Sequence, residues 1–379
     1  MRFTCDKAAL SEAVSSVTPA VSAKSTLVAL ECILLSVSGG TLSTVGYNTE
    51  LGITKTVEVE AAEDGEVILN ARLLNEIINK MPSGEIRFSV DDKLLIQITG
   101  GSAQFTIVGM SAEEYPEIPQ IDPEHSFEME NSVLRSMISE TLFAISQDTA
   151  FPALTGTLFE GKNGVLHLVS VDGKRLALRK EPVGCKEDFR FIVPGKTLSE
   201  FMKLSARFTT DREDGSLPVS IGVGTRHILF SCCGFTMVSR LLDGDFIDYA
   251  VAIPKESATR VIVSTRAFIE SISRASIIIS EKVKNPIKAV FEEGSIRVFC
   301  ETSLGKIDDR IPADITGNPV RIGFNDRYMI DALKASGEDQ VLLELGSNLS
   351  PIKIMPLRHI FCPFSSYRDQ NICLLSILC

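Results

Sequence analysis

Histidine and cysteine are the residue types that most often carry chemistry, and their spacing in this sequence indicates no catalytic or metal site. The four histidines lie far apart, without the spacing of metal ligands: His125, His167, His227 and His359. The nine cysteines include no Cys-x-x-Cys pair, so we expect free or buried thiols in a reducing compartment. A Gly-x-x-x-x-Gly-Lys-Ser/Thr phosphate loop is also absent. The sequence therefore predicts no enzyme, no metal and no cofactor, while a Cys nucleophile that meets a His only in the fold stays open.

The composition is that of a globular protein with a large core. The 379 residues are 44% hydrophobic, and this length favours two or three domains. The first residues lack the basic start and apolar core of a secretory signal, and no run of about 18 apolar residues occurs. We therefore expect a cytoplasmic protein that does not enter a membrane.

Charge is unevenly distributed between the predicted helices and the rest of the chain. Periodicity predicts six helices, at 7–17, 71–80, 131–146, 195–207, 264–280 and 325–336. Their charges sum to +4, so with a net charge of −11 the remaining residues carry −15. A relatively basic helical face on an acidic body suits weak, salt-sensitive and sequence-independent contact with a polyanion. A chance excess of basic residues is the alternative, and charge alone does not decide between the two.

The helices belong to a pattern that occurs three times. Residues 2–17, 126–146 and 260–280 each read as a short alternating strand, a polar break and an amphipathic helix. Roughly 60 to 65 residues later each copy repeats this order, followed in the first two copies by short alternating strands. The first two copies then end alike, with acidic residues, an aromatic (Tyr115 or Phe246) and an Ile-Pro dipeptide.

The repeated ends predict domain boundaries, because Pro and acidic residues there are typical of linkers. The predicted class is α+β, with three repeated domains at 1–122, 123–253 and 254–379. Each domain would be a helix pair packed on antiparallel sheets. Three unrelated α+β domains that share strand and helix order by chance are the weaker alternative.

Nine segments on this threefold repeat resemble the bacterial DNA polymerase III β subunits, the sliding clamps. The resemblance covers about residues 1–357, and each segment alone is a weak signal, whereas nine in order are specific. The segments are "MRFT" at the start, "TLVALECILLSV" at 26–37, "ILNARLL" at 68–74, "SAEEYPEIP" at 111–119, "LTGTLFE" at 154–160, "SVDGKRLAL" at 170–178, "FIVPGKTLSEFMKL" at 191–204, "LLDGDFIDY" at 241–249 and "LSPIKIMPL" at 349–357.

The resemblance implies a DNA clamp fold that assembles as a ring of two subunits joined head to tail. Twelve helices would line a hole for duplex DNA, with the sheets outside. The clamp would tether the replicative polymerase to DNA without reading its sequence, and ATP hydrolysis would belong to a separate clamp loader. The implied partners are a second copy of the chain, double-stranded DNA, the polymerase α subunit, the clamp loader and other proteins with a clamp-binding motif.

The resemblance also implies three groups of site residues. An apolar cleft between the second and third domains, which takes a short peptide with hydrophobic anchors, maps to Leu154, Val171, Gly173, Lys174, Arg175, Leu176, Ile247 and Pro351, with Met355 nearby. The family often has His at Lys174 and Pro at Ile247. DNA-facing basic residues map to Lys24, Arg72 and Lys196, to which charge adds Lys203 and Arg207; each is also readable as an ordinary solvated charge. The subunit joint maps to Phe105 on one subunit and to Arg274, Ile277 and Ile278 on the other.

The C-terminal tail, 358–379, departs from the family. The family continues with one more apolar strand and a hydrophobic-Pro-x-Arg-Leu ending, which would form a wall of the cleft. Here "ICLLSILC" is apolar enough to be a strand, but Pro363 stands where the missing strand should begin. We therefore expect a damaged cleft, a third domain of low stability and a native or frame-shifted tail. The functional alternatives are a ring-shaped scaffold without nucleic acid and a non-replicative clamp variant with an impaired partner cleft.

Overall fold

Helices and antiparallel sheets alternate along the chain in the computed structural model, which describes residues 1–185, 187–207, 217–279, 286–357 and 371–375. His359 and Pro363 lie outside the described residues. Within the described part there are six α-helices: α1 (Lys7–Val17), α2 (Ala71–Lys80), α3 (Asn131–Ser139), α4 (Gly195–Ser205), α5 (Thr265–Ser276) and α6 (Asp326–Ala335).

Side chains at the polar breaks start most of these helices. Asp6 accepts a hydrogen bond from the backbone N–H of Ala8, and Asn70, Ser264 and Asn325 accept from the third residue after them. Each cap satisfies an N–H that has no partner within the helix, so the helix starts follow from sequence. Asn131 is different: it is already inside α3, and its amide nitrogen donates to the Ser205 carbonyl at 3.2 Å.

Two helices are shorter than predicted. The prediction of 131–146 is wrong beyond Ser139, and the chain continues with a single 3₁₀ turn, Leu142–Ala144. Thr141 lies between them, and its hydroxyl donates to the Met137 carbonyl at 2.8 Å, which gives that C=O group a partner at the helix end. The prediction of 264–280 extends past the end of α5 at Ser276.

The strands repeat with the helices. The first repeat contributes β1 (Arg2–Asp6), β2 (Cys32–Ser38), β3 (Thr41–Tyr47), β4 (Leu51–Glu58), β5 (Glu60–Glu63), β6 (Gly65–Asn70), β7 (Glu85–Val90), β8 (Leu95–Gly100) and β9 (Ala103–Val108). The second contributes β10 (His125–Glu130), β11 (Gly156–Lys162), β12 (Val165–Val171), β13 (Arg175–Pro182), β14 (Phe189–Pro194), β15 (Pro218–Val223), β16 (His227–Cys232) and β17 (Phe235–Arg240). The third contributes β18 (Thr259–Ser264), β19 (Ile287–Glu292), β20 (Ser295–Thr302), β21 (Gly305–Gly317), β22 (Val320–Phe324), β23 (Gln340–Leu345), β24 (Ile352–Pro356) and β25 (Asn371–Leu375).

The chain divides into two compact units. The first unit contains residues 1–132 and 196–241. It holds a five-stranded sheet, ordered β5-β1-β7-β8-β9, and an eight-stranded sheet, ordered β10-β15-β16-β17-β4-β3-β2-β6. Helices α1 and α2 pack on each other and α1 packs on β3 and β4, so that apolar faces such as Leu10 and Val14 are fully buried.

The second unit contains residues 133–195 and 242–379. Its twelve-stranded sheet is ordered β14-β11-β12-β13-β25-β24-β23-β18-β21-β20-β19-β22. The third repeat has a core in which Phe268 and Ile272 of α5 and Leu333 of α6 pack against sheet residues such as Phe291 and Phe324. The predicted pattern of strand, helix, strands, helix and strands is thus present in the third repeat as in the first.

Adjacent repeats within the chain are joined by strand pairing of one form. The last strand of the second repeat, β17, pairs antiparallel with β4 of the first, with Val238 opposite Gly52. In the same way β25 pairs antiparallel with β13, with Leu374 opposite Leu176. Each junction therefore continues one antiparallel ladder from repeat to repeat and leaves neither strand with an open edge.

The structure confirms that the apolar segment "ICLLSILC" can be a strand, since residues 371–375 are one. These residues form β25, which pairs on one side with β24 and on the other with β13. The strand occupies the position that β9 and β17 occupy in the other repeats, so the expected loss of the closing strand does not occur. A strand at this position has hydrogen-bond partners on both edges, because β13 and β24 lie on either side of it.

Candidate functional site

An apolar cluster in the second unit contains four of the predicted cleft residues. Val171, Leu176 and Met355 are buried in it, and the half-buried Leu154 packs against them. The other buried members are Leu158, Val169, Leu178, Ile192, Phe246, Tyr249 and Leu342. Strands β11 to β14 from the second repeat and β23 and β24 from the third thus supply one continuous apolar surface.

The hairpin between β12 and β13 positions the polar edge of this cluster. Gly173 has φ of +82°, a left-handed conformation that glycine adopts without steric cost. The carboxylate of Asp172 accepts hydrogen bonds from the backbone N–H groups of Lys174 and Arg175, at 2.8 and 2.9 Å. The Asp-Gly turn therefore closes the β12–β13 hairpin, and it leaves Gly173 and Lys174 exposed to solvent.

Arg175 connects the hairpin to α6. Its guanidinium forms ion pairs with Asp172 at 2.9 Å and with Asp331 at 2.7 Å. The same group lies over the rings of Tyr328 and Phe143, at 4.5 and 5.2 Å from their centroids. Two carboxylates and two aromatic faces hold the guanidinium in one place, so Arg175 presents a fixed polar group at the edge of the cluster. Sequence reasoning missed these partners, since most of them lie about 30 to 155 residues away.

A hydrogen-bonded network fixes the segment that follows β17. The Tyr249 hydroxyl donates to the Glu160 carboxylate and lies 3.1 Å from Nδ1 of His167. Arg190 donates to the Phe246 carbonyl at 3.3 Å, and its Nε lies 3.8 Å from the same Glu160 carboxylate. One carboxylate therefore holds both ends of the short segment that carries Phe246 and Tyr249 into the apolar cluster.

Burial sets the protonation of this network. It raises the pKa of the Tyr249 phenol, and the Glu160 carboxylate raises it further, so the hydroxyl remains a donor. Burial also lowers the pKa of the His167 imidazole, and the nearby cations Lys180 and Lys162 lower it further against the opposing effect of Glu160. His167 is therefore neutral at neutral pH.

Besides the hairpin residues Gly173, Lys174 and Arg175, two predicted cleft residues lie outside the buried cluster. Ile247 remains 43% exposed next to the buried Phe246. Pro351 is half-buried directly before β24. Neither belongs to the set of residues that packs together around Leu176.

The threefold repeat provides an internal comparison for this surface. A row of three paired residues crosses equivalent strands of each repeat, starting three residues before the first helix. The row is Ile262–Leu342–Met355 in the third repeat, Glu128–Ser220–Ser231 in the second and Thr4–Arg87–Thr99 in the first. Only the third-repeat row is apolar, and Leu342 and Met355 join the cluster that contains Leu176. The comparison distinguishes the junction of the second and third repeats from that of the first and second.

The predicted DNA-facing residues are all exposed and all lie in the first unit. Arg72, in the first turn of α2, is paired with Glu76 at 2.9 Å, and Lys203 of α4 is paired with Glu200 at 2.7 Å. Lys196 lies at the start of α4, and Lys24 lies in the segment before the 3₁₀ turn Val28–Glu31. Arg207, just after α4, donates to the Ser15 hydroxyl of α1 at 3.2 Å. Of the five, Arg207 is the one that the structure brings to another helix.

The predicted joint residues occupy an exposed strand and an exposed helix end. Phe105 is 36% exposed on β9, which among the described strands pairs with β8 alone. Ile277 is 77% exposed directly after α5. Arg274 of α5 forms an ion pair with Asp309 of β21, and the Ile278 carbonyl accepts from Thr302 at 2.8 Å. Asp309 was not predicted, because its place in the joint follows from its ion pair with Arg274 of α5, and the sequence around Asp309 does not indicate that pair.

The residues that the structure describes contain no helix that could span a membrane and no candidate metal centre. None of the helices there is both long and apolar enough to cross a lipid bilayer. The same residues contain no group of three or more His, Cys, Asp or Glu side chains that could hold a metal ion.

Three family models match the chain in succession. They are the N-terminal domain of the DNA polymerase III beta subunit at residues 1–119, its central domain at 128–248 and its C-terminal domain at 250–359. A beta sliding clamp from Bacillus subtilis is 31% identical over 367 residues, which are 93% of this chain and 95% of that protein. The Bacillus subtilis sliding clamp crystal structure has a TM-score of 0.91 at 29% identity and covers 100% of this chain and 99% of its own. A Pseudomonas aeruginosa clamp bound to griselimycin has a TM-score of 0.91 at 26% identity, with 100% and 99% covered.

Proposed function

The chain belongs to the DNA polymerase III beta subunit family, the DNA sliding clamps, and we propose that it works as a homodimeric ring that encircles duplex DNA. The ring holds the replicative polymerase on its template through the polymerase α subunit, and the clamp loader and other proteins with a clamp-binding motif use the same cleft. The clamp acts in the cytoplasm without catalysing a reaction. Its domains are 1–122, 123–253 and 254–379.

The observation that carries the ring is the repeated junction. The chain contains three repeats and two junctions, β4–β17 and β13–β25. The same rule applied once more pairs β9 with β21 of a second copy. Among the described residues, both strands have the open edge that this pairing needs, since β9 pairs with β8 alone and residues 305–312 of β21 pair with β20 alone. Two copies close a ring with two such joints, which is how head-to-tail contacts avoid an open filament.

We infer the register of the joint between two copies from the register of the two junctions within the chain. Counted from the two-residue hairpin loops, Thr106 takes the place of Val238 and Lys306 takes the place of Gly52. Thr106 is therefore opposite Lys306 of the second copy, and Phe105 is opposite its Ile307. Ile307 is partly buried against the third-repeat core. Phe105 thus meets an apolar neighbour, with the Arg274–Asp309 ion pair close by.

The partner cleft is the apolar cluster around Leu176. Its walls are hydrophobic, and its polar groups at the edge, Arg175 and the Asp172–Lys174 turn, are few and fixed, as peptide anchoring requires. Leu154, Ile247, Pro351 and Met355 complete the surface. The presence of β25 removes the reason to expect an impaired cleft, so a fully competent clamp is favoured over the impaired variant.

Duplex DNA passes along the helical face of the ring. Lys24, Arg72, Lys196, Lys203 and Arg207 supply exposed positive charge there. Arg72 and Lys203 already have carboxylate partners, which reduces their net attraction for phosphate. A few partly neutralised contacts produce a weak, sequence-independent hold that lets the ring slide.

The test is topological. The clamp is loaded onto nicked circular DNA with a clamp loader and ATP and separated from free protein by gel filtration. We expect it to stay on the circle and to leave when a restriction enzyme linearises the DNA. A ring-shaped scaffold without nucleic acid would not be retained on the circle, and an ordinary DNA-binding protein would remain after linearisation. Either result would contradict the proposal.

A further inference from the structure

A cavity of about 770 Å³ continues the apolar cluster of the second unit. It shares Ile253, Leu342 and Met355 with that cluster. Beyond these apolar residues its floor becomes charged. A ligand bound to the apolar cluster could therefore also contact the charged residues of the adjoining cavity.

The charged floor is a row of three paired residues, Arg260–Glu344–Lys353, which we name the cation row. It lies two residues along the strands from the apolar row Ile262–Leu342–Met355, and so on the same face of the sheet. Arg260 lies 3.2 Å and Lys353 3.4 Å from the Glu344 carboxylate. The Glu344 carboxylate thus contacts both cations.

The row has an excess of positive charge that solvent can reach. The Arg260 side chain is 67% exposed, whereas Glu344 and Lys353 are largely buried at 13% and 10%. The exposed Lys255 and Glu256 also line the cavity and offset each other. The described residues that line the cavity therefore include three cations and two carboxylates, in a chain whose net charge is −11, and low-dielectric walls strengthen such a local field.

The repeats show that this row is not a general feature of the fold. The equivalent row of the second repeat is Ser126–Gly222–Leu229, which carries no charge. The equivalent row of the first repeat is Arg2–Ser89–Gln97, which carries one charge and no carboxylate. A paired cation row next to an apolar row occurs in the described residues of the third repeat alone.

We propose that the cation row binds an acidic side chain of the partner peptide whose hydrophobic anchors occupy the apolar cleft. This rests on the proposed function of the cleft. A carboxylate is the occupant that the charge favours, because the exposed Arg260 guanidinium offers it a planar fork of N–H donors. A basic side chain would meet an uncompensated positive charge. The cleft then selects partners by an acidic residue beside the motif as well as by the motif itself.

The experiment compares two forms of a polymerase-derived clamp-binding peptide on the full-length chain. The forms differ only in a flanking residue, Glu or Gln, tested on each side of the hydrophobic anchors. We expect one Glu form to bind about threefold more tightly, as one partly screened ion pair provides. The preference should shrink as salt rises, and it should disappear in Arg260→Gln. Arg266→Gln is the matched control, because Arg266 is also exposed and paired with a glutamate, Glu270, but lies on α5.

The outcomes separate this proposal from that of the cleft. Equal binding of all Glu and Gln forms to the parent chain would overturn the cation row as a site. So would a Glu preference that persists in Arg260→Gln and in Arg260→Gln combined with Lys255→Gln. Binding of neither form would overturn the cleft itself, and the cation row with it.

Discussion

His167 makes the stability of the second unit depend on pH. Its folded-state pKa lies below the ordinary value of 6.5 because burial and the Lys180 and Lys162 charges disfavour the imidazolium, while Glu160 and Tyr249 face its Nδ1 atom. The unfolded chain then binds the proton more readily. The contribution of His167 is therefore full above about pH 6.5 and is lost as pH falls towards the folded-state pKa.

We expect His167→Gln to reduce the loss of thermal stability between pH 7.5 and pH 5.5. The measurement is the unfolding midpoint of the full chain across that range by calorimetry. His227→Gln is the control, since the His227 pKa is also lowered by burial but the residue lies in the first unit. An unchanged pH slope in the second-unit transition of His167→Gln would contradict the prediction.

Met355 tests the apolar row. Met355→Ser introduces into the third-repeat row the residue type that the second-repeat row has at the equivalent position, Ser231. The substitution also removes a buried side chain from the cleft. Removing this wall of the cleft should weaken binding of a polymerase-derived peptide by roughly tenfold, while the loss of apolar burial, about 1.5–3 kcal/mol, falls mainly on the stability of the second unit. Fluorescence anisotropy with the labelled peptide measures it. Leu304→Ser, at a leucine that is 70% exposed, should bind like the parent, and equal affinities for all three chains would rule out the row as a binding surface.

At the scale of elements, β25 is the strand whose removal is most informative. A chain that ends at Leu357 lacks β25 and exposes the edges of β13 and β24, each of which loses a full ladder of hydrogen bonds. We expect lower stability of the second unit, faster amide exchange in β13 and β24, and weaker peptide binding. The first unit, which contains neither strand, should keep its protection.

A second variant, Cys373→Pro, tests whether the loss of protection comes from the strand β25 itself and not merely from the absence of residues 358–379. Proline removes one N–H from the centre of β25. It should reproduce part of the exchange in β13 and β24 at full chain length. Unchanged protection in both chains would mean that the second unit closes without β25.

The joint of the ring is tested by a disulfide across the two copies. Thr106→Cys with Lys306→Cys places cysteines opposite each other in the proposed register, within the roughly 4.4–6.8 Å between Cα atoms that a disulfide spans. Oxidation should yield covalent dimers on a denaturing gel. Gln104→Cys with Lys306→Cys is out of register by two residues, at about 7–8 Å, and should cross-link far less. Equal yields from the two pairs would exclude the register.

Periodicity and caps predicted most elements, because these signals are local. The helix starts after Asp6, Asn70 and Ser264 followed from side chains within a few residues. The end of α3 did not follow from the sequence. The Thr141 hydroxyl donates to a carbonyl at the helix end, and the composition of the segment does not reveal this contact. The cation row escaped prediction for a different reason: Arg260 and Lys353 meet only through the register of three strands.

At the scale of the whole molecule, charge governs the hold on DNA. Alanine at Lys24, Arg72 and Lys196 together should lower the affinity for duplex DNA and flatten its salt dependence by roughly one unit of slope for each phosphate that no longer has a basic partner. Sequence preference should stay absent. Binding of the loaded clamp measured across a salt titration gives the slope. Lys162→Ala combined with Arg226→Ala and Lys288→Ala is the control with equal charge loss, because these exposed residues lie outside the helices. A triple variant that binds and loads like the parent would contradict the assignment.

The large sequence separation between β25 and its partner β13 affects how the second unit folds during translation. Strand β13 ends at residue 182, whereas β25 begins at residue 371, about 190 residues later. At about 5–20 residues per second, β13 waits roughly 10–40 s during synthesis before its last neighbour exists. The first unit has a similar delay, since β4 ends at Glu58 and its partner β17 begins at Phe235. The nascent chain therefore carries two long-lived open strand edges, β4 and then β13. We expect chaperones that bind exposed strands to engage β13 late in translation, after the first unit has folded.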